Sequence, residues 1–214
     1  MMGITQDLMK LDPSLILAEE GNYKNFNTGG VEIEVGDFLY GLVRTIKPDA
    51  ILETGTHQCI GAAYMGLALK ENGKGKLLTL EFMWEYVAMA KKRIETLGLK
   101  DVVMCLQQDS RTFKTDVMFD LILLDTEPQY RFGELVALFD NLKPGGFMFI
   151  HDLGRGMSQV EHTNGLEYGW PFFKIPDAME KLVVDGKLVP WHFGTHRGFM
   201  GFYKPHPGDY KWKA

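Results

Sequence analysis

Cysteine is scarce in this 214-residue chain: two thiols, Cys59 and Cys105, and no CxxC pair. That excludes a zinc site built on thiolates and gives no basis for a disulfide framework. Long apolar runs are missing as well, none approaching the roughly 20 residues that cross a bilayer. The opening stretch, MMGITQDLMKLDPSLILAEEG, lacks the basic start, apolar centre and small-residue cleavage site of a secretory signal. A cytoplasmic location is therefore expected. Nor is there a surplus of positive charge: 23 basic against 28 acidic side chains leave a net charge of −5. This argues against nucleic acid or an anionic membrane as partner and in favour of a small molecule. Association into a homo-oligomer stays open. Repeats, low-complexity blocks and long Gly/Ser/Pro linkers are absent, and the length favours one domain over residues 1–214.

What is present is 45% apolar residues, enough for a full core, arranged in alternation from Ala50 onward. Short apolar runs predict buried strands at Ala50–Glu53, Lys76–Glu81, Val102–Leu106, Phe119–Asp125 and Phe147–His151. Helical patterns separate them. Over Trp84–Gly98 the residues Val87, Ala90, Ile94 and Leu97 share one face; over Arg131–Leu142 the face is Phe132, Leu135, Val136, Phe139 and Leu142. Continuously apolar strands alternating with amphipathic helices predict an α/β fold, a doubly wound parallel sheet with helices on both faces. Residues 1–49 read as helical, with Phe38, Leu42 and Ile46 at helical spacing. Residues 154–176, rich in glycine and aromatics (Tyr168, Trp170, Phe172, Phe173), show no period and are expected to form a lid over a bound molecule. A short helix over Asp177–Val184 and two strand-like runs, Leu188–Phe193 and Gly198–Lys204, complete the chain, the last two joined by a hairpin at Thr195–Gly198.

Ligands of doubly wound sheets bind at the carboxyl ends of the strands. Here those ends carry Glu53, Glu81, Asp109, Asp125 and the pair His151-Asp152. Any one of them can be a helix cap or a solvated turn residue; five ends in succession point to a site. The first strand leads into Glu53-Thr-Gly55-Thr56-His57-Gln-Cys59, which lacks the second glycine of a GxGxxG dinucleotide loop, so NAD and FAD are disfavoured. Glu81 can accept hydrogen bonds from two ribose hydroxyls, and Asp109-Ser110 can meet an exocyclic amine. Cys105, within an apolar run, reads as an inert core thiol.

With these motifs in order, the chain resembles class I S-adenosylmethionine-dependent methyltransferases over about residues 30–204. The segments carrying the resemblance are ILETGT, LLTLEF, QQDS, FDLILLD and LKPGGFMFIHD. Within the class it is most similar to the small-molecule O-methyltransferases of the macrocin and catechol type. The resemblance implies a Rossmann-like seven-stranded sheet of order 3-2-1-4-5-7-6 with the last strand antiparallel. It also implies methyl transfer from S-adenosylmethionine to an oxygen of a sugar or phenol-like acceptor. Glu53, Gly55, Thr56, His57, Glu81, Phe82, Asp109, Ser110 and Asp125 would line the cofactor site. Asp125, His151 and Asp152 would hold a divalent metal, and Glu127 or His151 would serve as base.

The sequence departs from the family at several points. His57 and Cys59 stand where small residues are usual, and Pro128-Gln129 where catechol-type enzymes carry a lysine. His151 replaces an acid. Imidazole favours Mn or Fe over Mg, so either the metal is a borderline one, or His151 acts without metal, or the pair only orients. Two other readings stay open: a non-methylating metal-dependent enzyme on this scaffold, and a nucleoside-binding protein with a degenerate loop.

Overall fold

The alternation of apolar runs and amphipathic segments becomes a layered α/β structure in the computed structural model, which describes residues 3–21, 23–27, 29–152 and 177–209. Two helices, α1 (Ile4–Leu11) and α2 (Ile33–Ile46), flank a hairpin of β1 (Leu17–Glu20) and β2 (Tyr23–Phe26). Then follow β3 (Ala50–Thr54), α3 (Ile60–Asn72), β4 (Lys76–Glu81), α4 (Trp84–Thr96), β5 (Val103–Gln107), β6 (Phe119–Leu124), α5 (Pro128–Leu138) and β7 (Leu142–His151). The last elements are α6 (Asp177–Val184), β8 (Val189–Phe193) and β9 (Phe199–Tyr203). Seven strands form one sheet in the order β5-β4-β3-β6-β7-β9-β8, with β9 antiparallel to both neighbours. Numbered from β3, this is the expected order. Among the described residues no helix is long and apolar enough to cross a membrane.

Two compact units make up the chain, Met1–Phe113 and Lys114–Ala214. In the first, β3, β4 and β5 run parallel in the register Ile51↔Leu77 and Leu77↔Val103. Helix α3 is apolar on all sides, and Ile60 to Leu69 are buried throughout, as such a helix must be. Glycines make its close packing possible: a Cβ on Gly36 of α2 would lie 2.3 Å from the Tyr64 ring, and one on Gly66 would lie 2.6 Å from Val103. The predicted face of α4 is the one that packs, with Val87, Ala90, Ile94 and Leu97 all buried. The helix stops at Gly98, whose φ of 64° lets the Leu99 amide reach back to the Ile94 carbonyl.

One expectation fails in this unit. Residues 17–26 form a two-stranded hairpin instead of continuing the helical reading of 1–49. The runs LAEE and YKNF are short and mostly polar, so no apolar alternation marks them. The positive φ of 60° at Gly21 makes the turn.

The link from β5 to β6 is also unusual. It holds a single 3₁₀ turn, Ser110–Thr112, where a crossover helix would normally cover the sheet. On β5 this leaves Met104 56% and Leu106 37% exposed.

In the second unit β6 and β7 run parallel with Leu124 opposite Ile150, so the residues leaving their tips are neighbours. Within α5 the buried residues are Arg131, Phe132, Glu134, Leu135 and Leu138. The predicted stripe is thus shifted: Leu138 is buried, while Val136 is only half-buried. Helix α6 and the strands β8 and β9 fall where the sequence places them. The proposed lid over 154–176 lies outside the described residues.

Candidate functional site

The loop from β3 to α3 is built around Glu81. This carboxylate, at the tip of β4, accepts the His57 amide at 2.7 Å through Oε2 and the Met83 amide at 2.9 Å through Oε1. Each oxygen keeps a second acceptor site. The loop is further tied by the Gly55 and Thr56 amides, both donated to the Leu80 carbonyl, and by the Arg93 guanidinium, which donates to the Gln58 carbonyl. Arg93 is in turn held by Asp12 at 2.9 Å. Beneath the loop a buried polar chain runs through Thr56, Thr79 and Glu53. The Thr79 hydroxyl donates to Glu53 at 2.5 Å, and the two threonine hydroxyls share a hydrogen bond of 2.5 Å.

These restraints explain how the loop tolerates His57 and Cys59. Their φ angles are 46° and 67°, in the left-handed region where a glycine would sit without strain. Each costs about 1–2 kcal/mol there. A conformation of this kind persists only where the surroundings over-determine it. The His57 ring lies 4.2 Å from that of Tyr86. Cys59 is wholly enclosed; burial, with Glu53 and Cys105 nearby, pushes its thiol well above the usual range. Both cysteines are free and buried, and Cys105 is a core thiol as expected.

The other predicted cofactor residues are less uniform. Glu53 is buried and accepts the Thr79 hydroxyl, which ties it to the loop from beneath. Asp109 is half-buried and engages Arg111: Nε meets Oδ1 at 2.9 Å and Nη2 meets Oδ2 at 2.6 Å. Arg111 holds the Asp109 carboxyl below its usual range. Phe82 is exposed beside Glu81, and Ser110 begins the 3₁₀ turn.

In the second unit Asp125, His151 and Asp152 come together, with one donor atom from each lying within 4.8 Å of the others. His151 Nδ1 is 2.9 Å from Asp125 Oδ1 and 3.5 Å from Asp152 Oδ1. The imidazole is 1% exposed and packs edge-on against Phe199. Glu127, by contrast, stands exposed at the start of α5.

Two arginines that the sequence reading passed over complete the cluster. Arg131, 3% exposed, places Nη2 3.3 Å from Asp125 Oδ1 and 3.2 Å from Asp152 Oδ2. Its Nε donates to the Thr126 carbonyl at 2.7 Å, and Nη1 donates to the His151 carbonyl. Arg197, from the β8–β9 hairpin, meets both oxygens of Asp152, Nε at 2.7 Å and Nη2 at 2.8 Å. Burial alone would raise the Asp152 carboxyl, but His151, Arg131 and Arg197 outweigh it and hold it at about 2. Asp152 also adopts a φ of 56°.

A signal for Arg131 exists in the sequence. Residues 131, 134, 135 and 138 share one helical face, so Arg131 and Glu134 are opposite charges set inside an apolar stripe, and Glu134 is buried against the Thr126 hydroxyl at 2.8 Å. For a divalent ion the arrangement is unfavourable. At an effective dielectric of about 20, unit charges 4 Å apart interact by roughly 4 kcal/mol, and a dication doubles the repulsion from each guanidinium. Asp152 Oδ1 accepts no hydrogen bond and so keeps acceptor capacity, but the two guanidiniums already balance the two carboxylates, and an added dication meets their repulsion.

The family description "Methyltransferase domain" matches residues 52–153, which include both the Glu81 loop and the His151 cluster. The chain is 24% identical over 210 residues to catechol O-methyltransferase of Bos taurus, covering 87% of this chain and 76% of that one. In fold it is similar to an O-methyltransferase structure from Klebsiella pneumoniae, with a TM-score of 0.68, 19% identity, and coverage of 95% and 90% of the two chains. It is likewise similar to an O-methyltransferase from Bacillus cereus in complex with S-adenosylhomocysteine, with a TM-score of 0.65, 18% identity, and coverage of 94% and 90%. With the strand order and the acid-tipped strands already in place, the matched methyltransferase domain and the O-methyltransferase relatives support an S-adenosylmethionine-dependent methyltransferase.

Proposed function

We propose that the chain moves the methyl group of S-adenosylmethionine to a hydroxyl oxygen of a small molecule, of the phenol or sugar class. When bound, S-adenosylmethionine supplies an electrophilic sulfonium methyl. Glu81 accepts the ribose hydroxyls through the acceptor sites that the backbone leaves on its two oxygens, and Phe82 offers an exposed ring beside it. The strained loop at His57 and Cys59 is held open by hydrogen bonds that do not depend on the ligand.

The observation that carries the acceptor chemistry is the 2.9 Å contact between His151 Nδ1 and Asp125. With the Nδ1 proton donated to the carboxylate, Nε2 is the basic nitrogen, and His151 takes the proton from the acceptor hydroxyl. As the acceptor O–H loses its proton, its oxygen bonds to the methyl carbon and the carbon–sulfur bond breaks. A second reading makes Glu127 the base, because its exposure lets an acceptor meet it directly. The catechol O-methyltransferase relative supports a hydroxyl acceptor.

The test is a screen of catechols, phenols and sugars with methyl-labelled S-adenosylmethionine, followed by His151→Gln and Glu127→Gln on the best acceptor. A lost general base lowers kcat by roughly 10²–10⁴-fold. Loss of the imidazole limb of the pH–rate profile in His151→Gln supports the first reading. The same loss of rate in Glu127→Gln alone supports the second. Label found only on nitrogen, or no binding of S-adenosylhomocysteine, refutes the proposal.

A further inference from the structure

We infer that Arg131 is a built-in cation in the place a divalent ion would take between Asp125 and Asp152, closing the cluster to metal and positioning His151. The placement is direct. One nitrogen, Nη2, contacts both carboxylates, at 3.3 Å and 3.2 Å. Further charged contacts surround the pair, although Asp152 Oδ1 accepts no hydrogen bond. Asp152 presents both oxygens to Arg197, and Asp125 Oδ1 is shared between Arg131 and His151. An Nδ1 that donates its proton to Asp125 has no lone pair for a metal, which leaves only Nε2 on the imidazole.

Charge leads to the same conclusion. Two carboxylates and two guanidiniums already sum to zero in a buried cluster, so a dication would leave an excess of two. Arg131 also does what a metal does not: it donates to the carbonyls of Thr126 and His151, joining the segment after β6 to the tip of β7. It thereby fixes the backbone that carries both members of the Asp125–His151 pair. It is a positioning residue, and in that role the inference rests on the proposed function; the exclusion of metal does not.

Manganese paramagnetic resonance tests the exclusion without any turnover. Titrated into the wild-type protein, Mn²⁺ is expected to keep its full six-line free-ion signal. In Arg131→Met the freed carboxylates are expected to take up one ion per chain, and Arg131→Met/Asp152→Asn to lose it again, while Arg131→Lys stays closed. Stoichiometric uptake by the wild type, abolished in Asp152→Asn, overturns the inference, and this measurement stands even if Arg131→Met does not fold. A folded Arg131→Met that gains no ion overturns it as well.

For positioning, Arg131→Met should lower kcat by roughly 10²-fold, the cost of misplacing a catalytic group by about 1 Å. Its KM for S-adenosylmethionine should be unchanged, the imidazole limb of its pH profile displaced, and Arg131→Lys should recover part of the rate. Unchanged kcat and pH profile refute the positioning role. A wild-type chain that excludes Mn²⁺ yet methylates no hydroxyl refutes the proposed function and leaves the exclusion of metal standing.

Discussion

Replacing Glu81 by glutamine changes one atom, removing support for the loop that the structure shows and support for the ribose that we propose. The carboxylate has two oxygens, each spending one acceptor site on a backbone amide, at 2.7 Å for His57 and 2.9 Å for Met83. Glutamine keeps one oxygen, so one of these amides faces an NH₂ group and loses its acceptor. In the proposed complex, one ribose hydroxyl loses its charged acceptor and the other faces a neutral one. A hydrogen bond to a charged group contributes about 1.5–3 kcal/mol and a neutral one about 0.5–1.5. One lost and one weakened bond give about 2–4 kcal/mol, or roughly 30- to 700-fold in Kd. The orphaned amide is expected to lower the stability of the free protein by about 1–3 kcal/mol. Isothermal titration with S-adenosylhomocysteine, alongside urea unfolding, separates the two effects. An affinity within threefold of wild type, in a variant with an unchanged circular dichroism spectrum, refutes Glu81 as the ribose acceptor.

Three further outcomes follow from the packing and charge already described. Asp152 is depressed from 3.8 to about 2, so its stabilisation is complete above roughly pH 4 and is lost as pH falls through about 2. The stability gap between wild type and Asp152→Asn should narrow by roughly 2 kcal/mol across that window, and a constant gap in acid unfolding curves refutes the linkage. Gly36→Ala sets a helix-propensity gain of about 1 kcal/mol against a Cβ 2.3 Å from the Tyr64 ring. The clash, at about 1–3 kcal/mol or more, is expected to lower Tm, and a raised Tm shows that the ring yields. Cys59 and Cys105 are both buried, so the native protein should release no thionitrobenzoate on brief exposure to Ellman's reagent and two equivalents in guanidinium; rapid release from the native state contradicts the burial.

The sheet was legible in the sequence because its strands are continuous apolar runs and its helices repeat at 3.6 residues. The Leu17–Phe26 hairpin was not, since neither of its strands carries a core-facing alternation. In the site, the acids at the strand tips announced themselves one by one. What joins them did not. Arg131 and Arg197 lie 66 residues apart in the chain, and only the fold brings both to Asp152. Arg197 also sits in a Thr-His-Arg-Gly turn, where a charged residue is ordinary. His57 and Cys59, which read as obstacles in the cofactor loop, prove to occupy glycine-like backbone angles. A one-dimensional pattern marks the substitution but not the scaffold of hydrogen bonds that makes it tolerable.

The missing crossover helix between β5 and β6 bears on how the protein behaves in bulk. Strand β5 ends the sheet order, so among the described residues its outer backbone groups have no neighbouring strand, and Met104 and Leu106 project from it into water. A bare edge with apolar side chains is the surface on which chains add to one another as concentration rises. Colloidal stability is thus set at a strand remote in sequence from the His151 cluster. Met104→Lys, which places a gatekeeping charge on that edge, is the substitution best suited to keeping concentrated samples monodisperse.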